Sequence, residues 1–332
     1  MPRLIQPSFL LCLLVLAAAE IFLHCTLSPL AVAAFQYGHH PDSGFQETAD
    51  GMVHLAPGPM RDFFEQTFSR ERRPGVFRVF TLGNSVEYWD AVGSHILSNT
   101  YPARVAEELN RRGIRAESIN LGVTGYGTVR NEILLRKALG YAPNLIIFKL
   151  DVTNEYLEKT TAERARAFKS LWPQDWLWKS YLIQTGFKLK ETRLLEHTLF
   201  SVIRWTAPGY TTGKKEARPA VKLPFDETSR RALDECLQLA REHGVPVLLV
   251  TQAFNQRDIT GHLQIIDYGL SEFAATRCGH GVAMLSLLQL LGTLPIEETF
   301  TDQVHLARPT HQIVARAIAD AVERQMHPEA GK

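Results

Sequence analysis

The chain has 332 residues, of which 45% are hydrophobic and 21% charged, as expected for a globular protein with one large domain or two small ones. A formal net charge of +1, with no basic run, gives no indication of nucleic-acid binding. The four cysteines form no Cys-x-x-Cys pair, so neither a zinc site nor a thioredoxin-type site is indicated.

The first 35 residues have the pattern of an export signal. Arg3 precedes an apolar run at residues 9–19, Glu20 interrupts it, and the small residues 31–33 offer a cleavage site. An uncleaved membrane anchor is the alternative, because the apolar stretch approaches the roughly 20 residues that span a bilayer. Both alternatives predict an extracytoplasmic protein, periplasmic or at the cell surface. An uncleaved segment would also provide membrane contact, as an anchor in the inner membrane.

Residues 36–75 show no regular apolar repeat, and we predict a lead-in segment that lies on the surface. This segment contains His39, His40 and Asp42. Without further ligands, these residues indicate a solvated loop rather than a metal site.

Strand and helix patterns alternate over residues 76–328. Such alternation predicts a single three-layer α/β/α domain around a central, mostly parallel sheet. Strands are predicted at residues 77–82, 116–120, 145–150, 245–251 and 282–287. Helices are predicted at residues 101–112, 128–139, 226–243, 263–277 and 310–325.

Residues 156–225 interrupt this alternation and predict a helical insertion. The segment contains four of the five tryptophans and an excess of basic over acidic residues. Two interpretations are open: the aromatic residues form a small core of their own, or the segment is a lid over the substrate cleft or against lipid headgroups.

Polar residues follow three of the predicted strands and precede the last helix. Ser85, Gly125 and Asn154 come after the first three strands, where open α/β folds bind their ligands, and Asp302 and His305 come late in the chain. A serine hydrolase needs a nucleophile, an imidazole base, a carboxylate that orients the imidazole, and hydrogen-bond donors for the oxyanion. These residue types supply all four.

Each residue also has an ordinary structural interpretation. A bare Gly-x-Ser occurs in many strand-to-helix turns. His305 could lie on the surface or cap a helix, and Asn154 could cap the segment that follows it. The glycines at 122–127 do not match the spacing of a dinucleotide-binding loop.

In their order along the chain, these blocks resemble the SGNH (GDSL) hydrolase family over most of residues 76–325. The first block, usually Gly-Asp-Ser, reads Gly83-Asn84-Ser85, and the second matches residues 120–125. The third, usually Asn-Asp, reads Asn154-Glu155, and the last, Asp-x-x-His, matches residues 302–305. The apolar leader with residues 19–21, and residues 73–78, are similar to extracytoplasmic, membrane-anchored members.

The resemblance implies a flavodoxin-like fold and a role for each matched residue. Ser85 would be the nucleophile and His305 the base, oriented by Asp302. The backbone N–H groups of Ser85 and Gly125 and the side-chain amide of Asn154 would form the oxyanion hole. No metal or organic cofactor is implied. The sequence departs from the family pattern in three places. Asn84 replaces an acid that could carry charge, Glu155 replaces aspartate, and no glycine follows Ser85 at the usual distance.

The sequence therefore predicts an exported serine ester hydrolase acting on a small-molecule ester or an acylated glycan. One alternative is an O-acetyl transferase or deacetylase acting on an exported polysaccharide. Another is a non-catalytic cell-envelope module that binds glycan or assists assembly, which the altered first block favours. The acyl chain, the oligomeric state and any pairing of Cys236 with Cys278 are left open.

Overall fold

A computed structural model of the chain describes residues 7–26, 45–55, 63–91, 94–152, 155, 182, 227–257 and 262–326. The predicted insertion at 156–225 lies outside the described residues, apart from Leu182. The same holds for the histidine pair at 39–40 and for Asn154.

The described residues form short strands and helices in alternation. The strands are Phe45–Glu47 (β1), Met52–Leu55 (β2), Gln66–Ser69 (β3), Phe77–Gly83 (β4), Ala116–Gly122 (β5), Leu145–Leu150 (β6), Val247–Thr251 (β7), Phe254–Arg257 (β8), Leu263–Ile266 (β9) and Val282–Ser286 (β10). The helices are Pro7–Thr26 (α1), Ser85–Tyr88 (α2), Tyr101–Arg111 (α3), Thr128–Leu139 (α4), Glu227–Glu242 (α5), Leu270–Ala275 (α6), Leu287–Leu291 (α7), Ile296–Thr299 (α8) and Arg308–Met326 (α9).

Five strands form a parallel sheet in the order β5-β4-β6-β7-β10. This is the doubly wound, flavodoxin-like order, in which the chain changes direction between its first and third strands. β6 is buried along its whole length, as its near-continuous apolar sequence predicts. The α/β fold with a central parallel sheet is therefore confirmed, and its switch point lies at the carboxyl ends of β4 and β6.

Helices cover both faces of the sheet. Leu134 of α4 and Leu233 of α5 belong to the apolar core on one face. Leu109 of α3 and Ile318 of α9 belong to the core on the other. The side chain of His311 links α9 to α3, because its Nδ1 accepts the N–H that begins α3 at 3.0 Å.

Residues 45–69 contain a three-stranded antiparallel sheet, β1-β2-β3, that the sequence pattern did not predict. Phe45 and Val53 of this sheet pack into the same core as α4 and α5. Arg78 of β4 attaches it, since its buried guanidinium donates to Ser69 O at 2.8 Å and to Tyr141 O at 2.7 Å. The strands are three or four residues long, too short for a clear alternating pattern.

The prediction of a continuous helix at residues 263–277 is wrong. β9 pairs with β8 as an antiparallel hairpin, and only α6 is helical. The β-branched pair Ile265-Ile266 favours a strand. Asp267 then ends the strand, because its carboxylate accepts the N–H groups of Gly269 and Ser271, both at 3.0 Å, and Gly269 adopts a positive φ of 78°.

The N-terminal helix α1 exposes apolar side chains along its length, including Leu14 at 67% and Phe22 at 65%. Within the described part of the chain, no helix combines the length and apolarity needed to cross a membrane.

The two later cysteines, whose pairing the sequence left open, form no disulfide with each other. Cys236 is buried, Cys278 is exposed, and both are free thiols.

Candidate active site

Ser85 is the first residue of α2 and lies directly beyond the carboxyl end of β4. Its neighbours form a capping box: Asn84 Oδ1 accepts the Val86 N–H at 3.0 Å, and Glu87 Oε2 accepts the Asn84 N–H at 2.6 Å. These bonds fix the backbone on either side of Ser85, whose side chain is partly exposed. The local sequence therefore holds a hydroxyl at the switch point of the sheet.

Glycines are needed where α2 lies against the two strands. A Cβ at Gly83 would stand 1.9 Å from Glu87 Oε2, and one at Gly122 would stand 2.5 Å from Glu87 Cβ. Both distances are far below van der Waals contact. The glycines of the first two sequence blocks thus allow the helix that carries Ser85 to pack closely on β4 and β5.

Asn84, the residue before Ser85, pairs with a carboxyl group at the end of β6. The Asn84 amide donates to Oδ2 of Asp151, at the end of β6, and both side chains are buried. A carboxylate at position 84 would face that of Asp151. The amide at 84 and the acid at 151 form a matched pair that the first block alone does not reveal.

His305 contacts both Ser85 and Asp302. Its Nε2 lies 2.8 Å from Ser85 Oγ, and its Nδ1 lies 2.7 Å from Asp302 Oδ2. Asp302 also accepts the backbone N–H groups of Val304 and His305 at 2.8 and 2.7 Å. With the carboxylate accepting from Nδ1–H, Nε2 is left to accept the serine proton. The predicted serine, histidine and aspartate therefore lie in one hydrogen-bonded row.

Hydrogen bonding keeps Asp302 ionised. Burial alone would raise the pKa of this carboxyl, but the N–H groups of His305 and Val304 and the imidazole outweigh it, so the pKa lies below its usual value. The carboxylate can therefore hold the Nδ1–H tautomer and stabilise an imidazolium when His305 takes up a proton.

Trp89 is a site residue that the sequence analysis missed. Its indole stacks on the His305 imidazole, with ring centroids 4.5 Å apart and an interplanar angle of 24°. The ring limits tilting of the imidazole and favours a cation on its face. The only sequence signal was its position four residues after Ser85, which does not distinguish a site residue from a core aromatic.

Gly125 lies in a tight turn beyond β5. The Tyr126 N–H donates to Val123 O at 3.1 Å, and Gly125 has a φ of 78°, which favours glycine at the third position of such a turn. Arg130 donates to the Gly125 carbonyl. The Val123 N–H lies 3.5 Å from Gly83 O, so the turn begins beside the strand end that leads to Ser85.

Asn120 and Glu155 connect the segments around residues 83–87, 120–128 and 155. Asn120 Nδ2 donates to Glu87 O at 2.8 Å, while its Oδ1 accepts the Gly122 N–H at 2.8 Å. Glu155 is buried, and its Oε1 accepts the backbone and hydroxyl groups of Thr128 at 3.0 and 2.8 Å. The glutamate thus caps α4, directly after the Gly125 turn. Asn154, the predicted third oxyanion donor, is not among the described residues.

A buried ion pair lies beneath the helix that carries Ser85. Lys149 Nζ is 3.4 Å from Glu87 Oε1, and both side chains are 0% exposed. Tyr101 donates its hydroxyl to the same carboxylate oxygen at 2.7 Å. Burial first, and then the negative charge of Glu87, raise the pKa of Tyr101 well above its ordinary value, so the phenol stays a donor.

No family model matches the sequence, and no curated protein matches it. Solved structures do resemble the fold. A carbohydrate acetylesterase family member from Sinorhizobium meliloti is 16% identical with a TM-score of 0.38, over 75% of this chain and 98% of that one. An α/β hydrolase enzyme from the metagenome of Lake Arreo, Spain, is 15% identical with a TM-score of 0.43, over 74% and 95%. An SGNH-hydrolase family esterase is 16% identical with a TM-score of 0.37, over 77% and 99%.

Proposed function

We propose that the chain is a serine ester hydrolase of the SGNH type, with Ser85 as nucleophile, His305 as base and Asp302 as the group that orients the base. One observation carries the proposal: Ser85 Oγ lies 2.8 Å from His305 Nε2, and the other ring nitrogen lies 2.7 Å from a carboxylate. This is the geometry expected of a serine activated by a neighbouring base.

In the proposed reaction, His305 Nε2 takes the proton of Ser85 as Oγ attacks the ester carbonyl. Asp302 and the stacked ring of Trp89 stabilise the imidazolium that results. The imidazolium then gives its proton to the departing alcohol, which leaves an acyl group on Ser85. Water, deprotonated by the same imidazole, attacks this acyl-enzyme and releases the acid, restoring the free serine.

The oxyanion of each tetrahedral intermediate needs preorganised donors. We assign this role to the backbone N–H groups of Ser85 and Gly125 and to the side-chain amide of Asn154. The position of Ser85 at the start of α2 and the tight turn at Gly125 support the first two. The resemblance of Asn154-Glu155 to the third sequence block of the SGNH family supports the role of the Asn154 amide. We expect Asn154→Ala to lower kcat by about 10²–10³-fold on a short-chain aryl ester.

A fluorophosphonate probe tests the nucleophile directly, because it reacts with activated serines. We expect the wild-type protein to be labelled at Ser85 and to hydrolyse a short-chain aryl ester. Ser85→Ala and His305→Ala should each abolish both activities. Ser98→Ala, at an exposed serine outside the site, is the matched control and should behave as wild type. A wild-type protein that resists labelling would favour the non-catalytic envelope module instead.

An acylated glycan is the second candidate substrate class, and with it O-acetyl transfer or deacetylation. The partly exposed ring of Trp89 at the reaction centre fits this class as well as a simple ester, since aromatic side chains are common in the walls of ligand sites. Acetate release from acetylated polysaccharides, compared with hydrolysis of lipid esters by the same preparation, separates the two classes. A transferase would consume the acyl donor faster when a sugar acceptor is added.

We also propose that the protein is exported, with residues 1–35 acting as signal peptide or anchor. The exposed apolar side chains of α1 support a segment that interacts with a membrane or an export channel. Fractionation of cells that express the full chain, with N-terminal sequencing of the product, tests this. Recovery of the intact chain in the cytoplasm would contradict export, and a new N-terminus after residues 31–33 would identify a cleaved signal.

A further inference from the structure

Gln252 is a buried polar residue that the proposed reaction does not use. It follows the last residue of β7 and is 0% exposed. Its backbone N–H donates to Leu150 O, at the end of β6, at 2.9 Å. The side chain therefore starts from a fixed backbone position at the carboxyl edge of the sheet, between the two regions that supply Ser85 and His305.

The two ends of the Gln252 amide have different partners. Oε1 accepts from Lys149 Nζ, while Nε2 donates to the carbonyl oxygens of Val304, at 2.9 Å, and Ala253. An ammonium group can only donate and a carbonyl oxygen can only accept. Only one orientation of the amide therefore satisfies all its neighbours, and the side chain acts as a directional bridge.

The bridge joins the backbone beside the two reacting groups. On one side, Lys149 pairs with Glu87 at 3.4 Å, and Glu87 holds the N–H of Asn84, the residue before Ser85, at 2.6 Å. On the other side, Val304 is the residue before His305. A chain of contacts, buried as far as Gln252, thus runs from the backbone at Ser85 to the backbone at His305.

We propose that Gln252 is a positioning residue that sets the spacing between Ser85 Oγ and His305 Nε2. The inference rests on the proposed function only in taking this pair as the reacting atoms. The loop before His305 has one other bond to this part of the fold, from the Asn255 N–H to Gln303 O at 2.9 Å. That bond does not reach the ion pair under Ser85. Apart from the Ser85–His305 hydrogen bond and the stacking of Trp89 on His305, Gln252 is the link from the loop to this part of the nucleophile helix among the contacts described.

Gln252→Glu changes a single group in this bridge. The carboxylate still accepts from Lys149, but it cannot donate to Val304 O and repels that oxygen. The loop should shift away, and displacements of about 1 Å between reacting groups can lower rates by about 10²-fold. We expect fluorophosphonate labelling and kcat to fall by about 10- to 100-fold, with KM close to wild type. Gln252→Met, which removes all three side-chain hydrogen bonds without adding charge, should give a smaller loss in the same parameters.

Thr251→Val is the matched control. Thr251 is the adjacent residue, is equally buried, and hydrogen-bonds Ser271 rather than the site. Melting temperatures of the three variants identify any general loss of stability. The proposal predicts that Thr251→Val labels as wild type even where its melting temperature falls as far as that of Gln252→Glu. Equal labelling by Gln252→Glu and Thr251→Val would overturn it.

Crystal structures of the wild type and Gln252→Glu make the test independent of activity. We expect the distance from Ser85 Oγ to His305 Nε2 to exceed hydrogen-bond range in the variant. An unchanged distance would refute the positioning role, whatever the activity. If the wild-type protein itself is not labelled, the proposed function fails. The distance from Ser85 Oγ to His305 Nε2, compared between wild type and Gln252→Glu, still decides the role of Gln252.

Discussion

The two regions that supply the proposed reacting groups are built in different ways. The acid–base loop, residues 301–305, holds its shape mainly with its own residues. Asp302 accepts the N–H groups of Val304 and His305, and the Thr301 N–H donates to His305 O at 2.9 Å. The side chain of Asp302 is 40% exposed. A few adjacent residues are thus sufficient to form the carboxylate–imidazole pair.

The nucleophile turn, residues 83–89, depends instead on partners far along the chain. Asn84 donates to Asp151, and Glu87 accepts from Tyr101 and Lys149. All of these side chains are buried. The position of Ser85 is therefore set by tertiary packing, whereas the pairing of Asp302 with His305 is formed by adjacent residues. This difference predicts distinct responses to mutation in the two regions.

Asp302→Asn should give the largest effect, and it should affect activity rather than folding. An asparagine can still accept the two backbone N–H groups, but its amide no longer favours the Nδ1–H tautomer of His305. Loss of the correct tautomer lowers turnover by about 10³–10⁴-fold in a triad of this kind. Hydrolysis of a short-chain aryl ester measures the loss, and urea denaturation measures the free energy of unfolding.

If the acid–base loop holds its shape with its own residues, Asp302→Asn should change the free energy of unfolding by less than about 1 kcal/mol, as expected for partly exposed groups. A variant that loses both activity and several kcal/mol of stability would show that the acid–base loop is not self-contained. Turnover close to wild type would remove Asp302 from the proposed mechanism.

The same difference explains what could be predicted from the sequence. The Asp-x-x-His pattern was visible because both residues lie on one turn, and β4, β6, β7 and β10 of the parallel sheet were visible because they are mostly apolar. Asp151 and Gln252 were not recognisable, since each gains its partner only when the sheet assembles. The hairpin at β8 and β9 was mistaken for helix because Leu263–Ile266 is short and directly precedes a helix.

Asn84→Asp restores the residue usual in the first block, yet we expect it to be harmful. Two carboxylates, at positions 84 and 151, would then meet in a buried site where the wild type has a hydrogen bond. The cost of an unsatisfied buried charge and the lost bond is about 2–3 kcal/mol of unfolding free energy. The displaced turn should also lower the rate of fluorophosphonate labelling.

The exchanged pair Asn84→Asp with Asp151→Asn provides the control. It returns one amide and one carboxylate to the same contact, so it should recover most of the stability that Asn84→Asp loses. Recovery would show that the pair, rather than either residue alone, supports the nucleophile turn. If Asn84→Asp were as stable and as reactive as wild type, the nucleophile turn would not depend on its distant partner.

The smallest expected effect lies where the two regions are joined. Asp90 follows the nucleophile turn and accepts from Ile96 N and Asn99 Nδ2, both at 3.1 Å, and from Arg308 Nε, at 3.0 Å, at the start of α9. Burial alone would raise the pKa of this carboxyl. Hydrogen bonds from Ser94, Ile96, Asn99 and Arg308 outweigh burial and lower the pKa to about 2.

A lowered pKa means that ionised Asp90 stabilises the folded state at neutral pH. This contribution is fully present above the ordinary aspartate pKa near 4 and is lost as the pH falls toward 2. We expect the charge of Asp90 to contribute about 1–2 kcal/mol to the free energy of unfolding, because the Arg308 side chain is 50% exposed and water weakens its attraction to the carboxylate. In urea denaturation at pH 6, the free energy of unfolding of the wild type should exceed that of Asp90→Asn by this amount. The difference should shrink steadily between pH 4 and pH 2. A difference that stays constant across this range would mean that the hydrogen-bond geometry, rather than the charge of Asp90, joins the nucleophile turn to the helix that follows the acid–base loop.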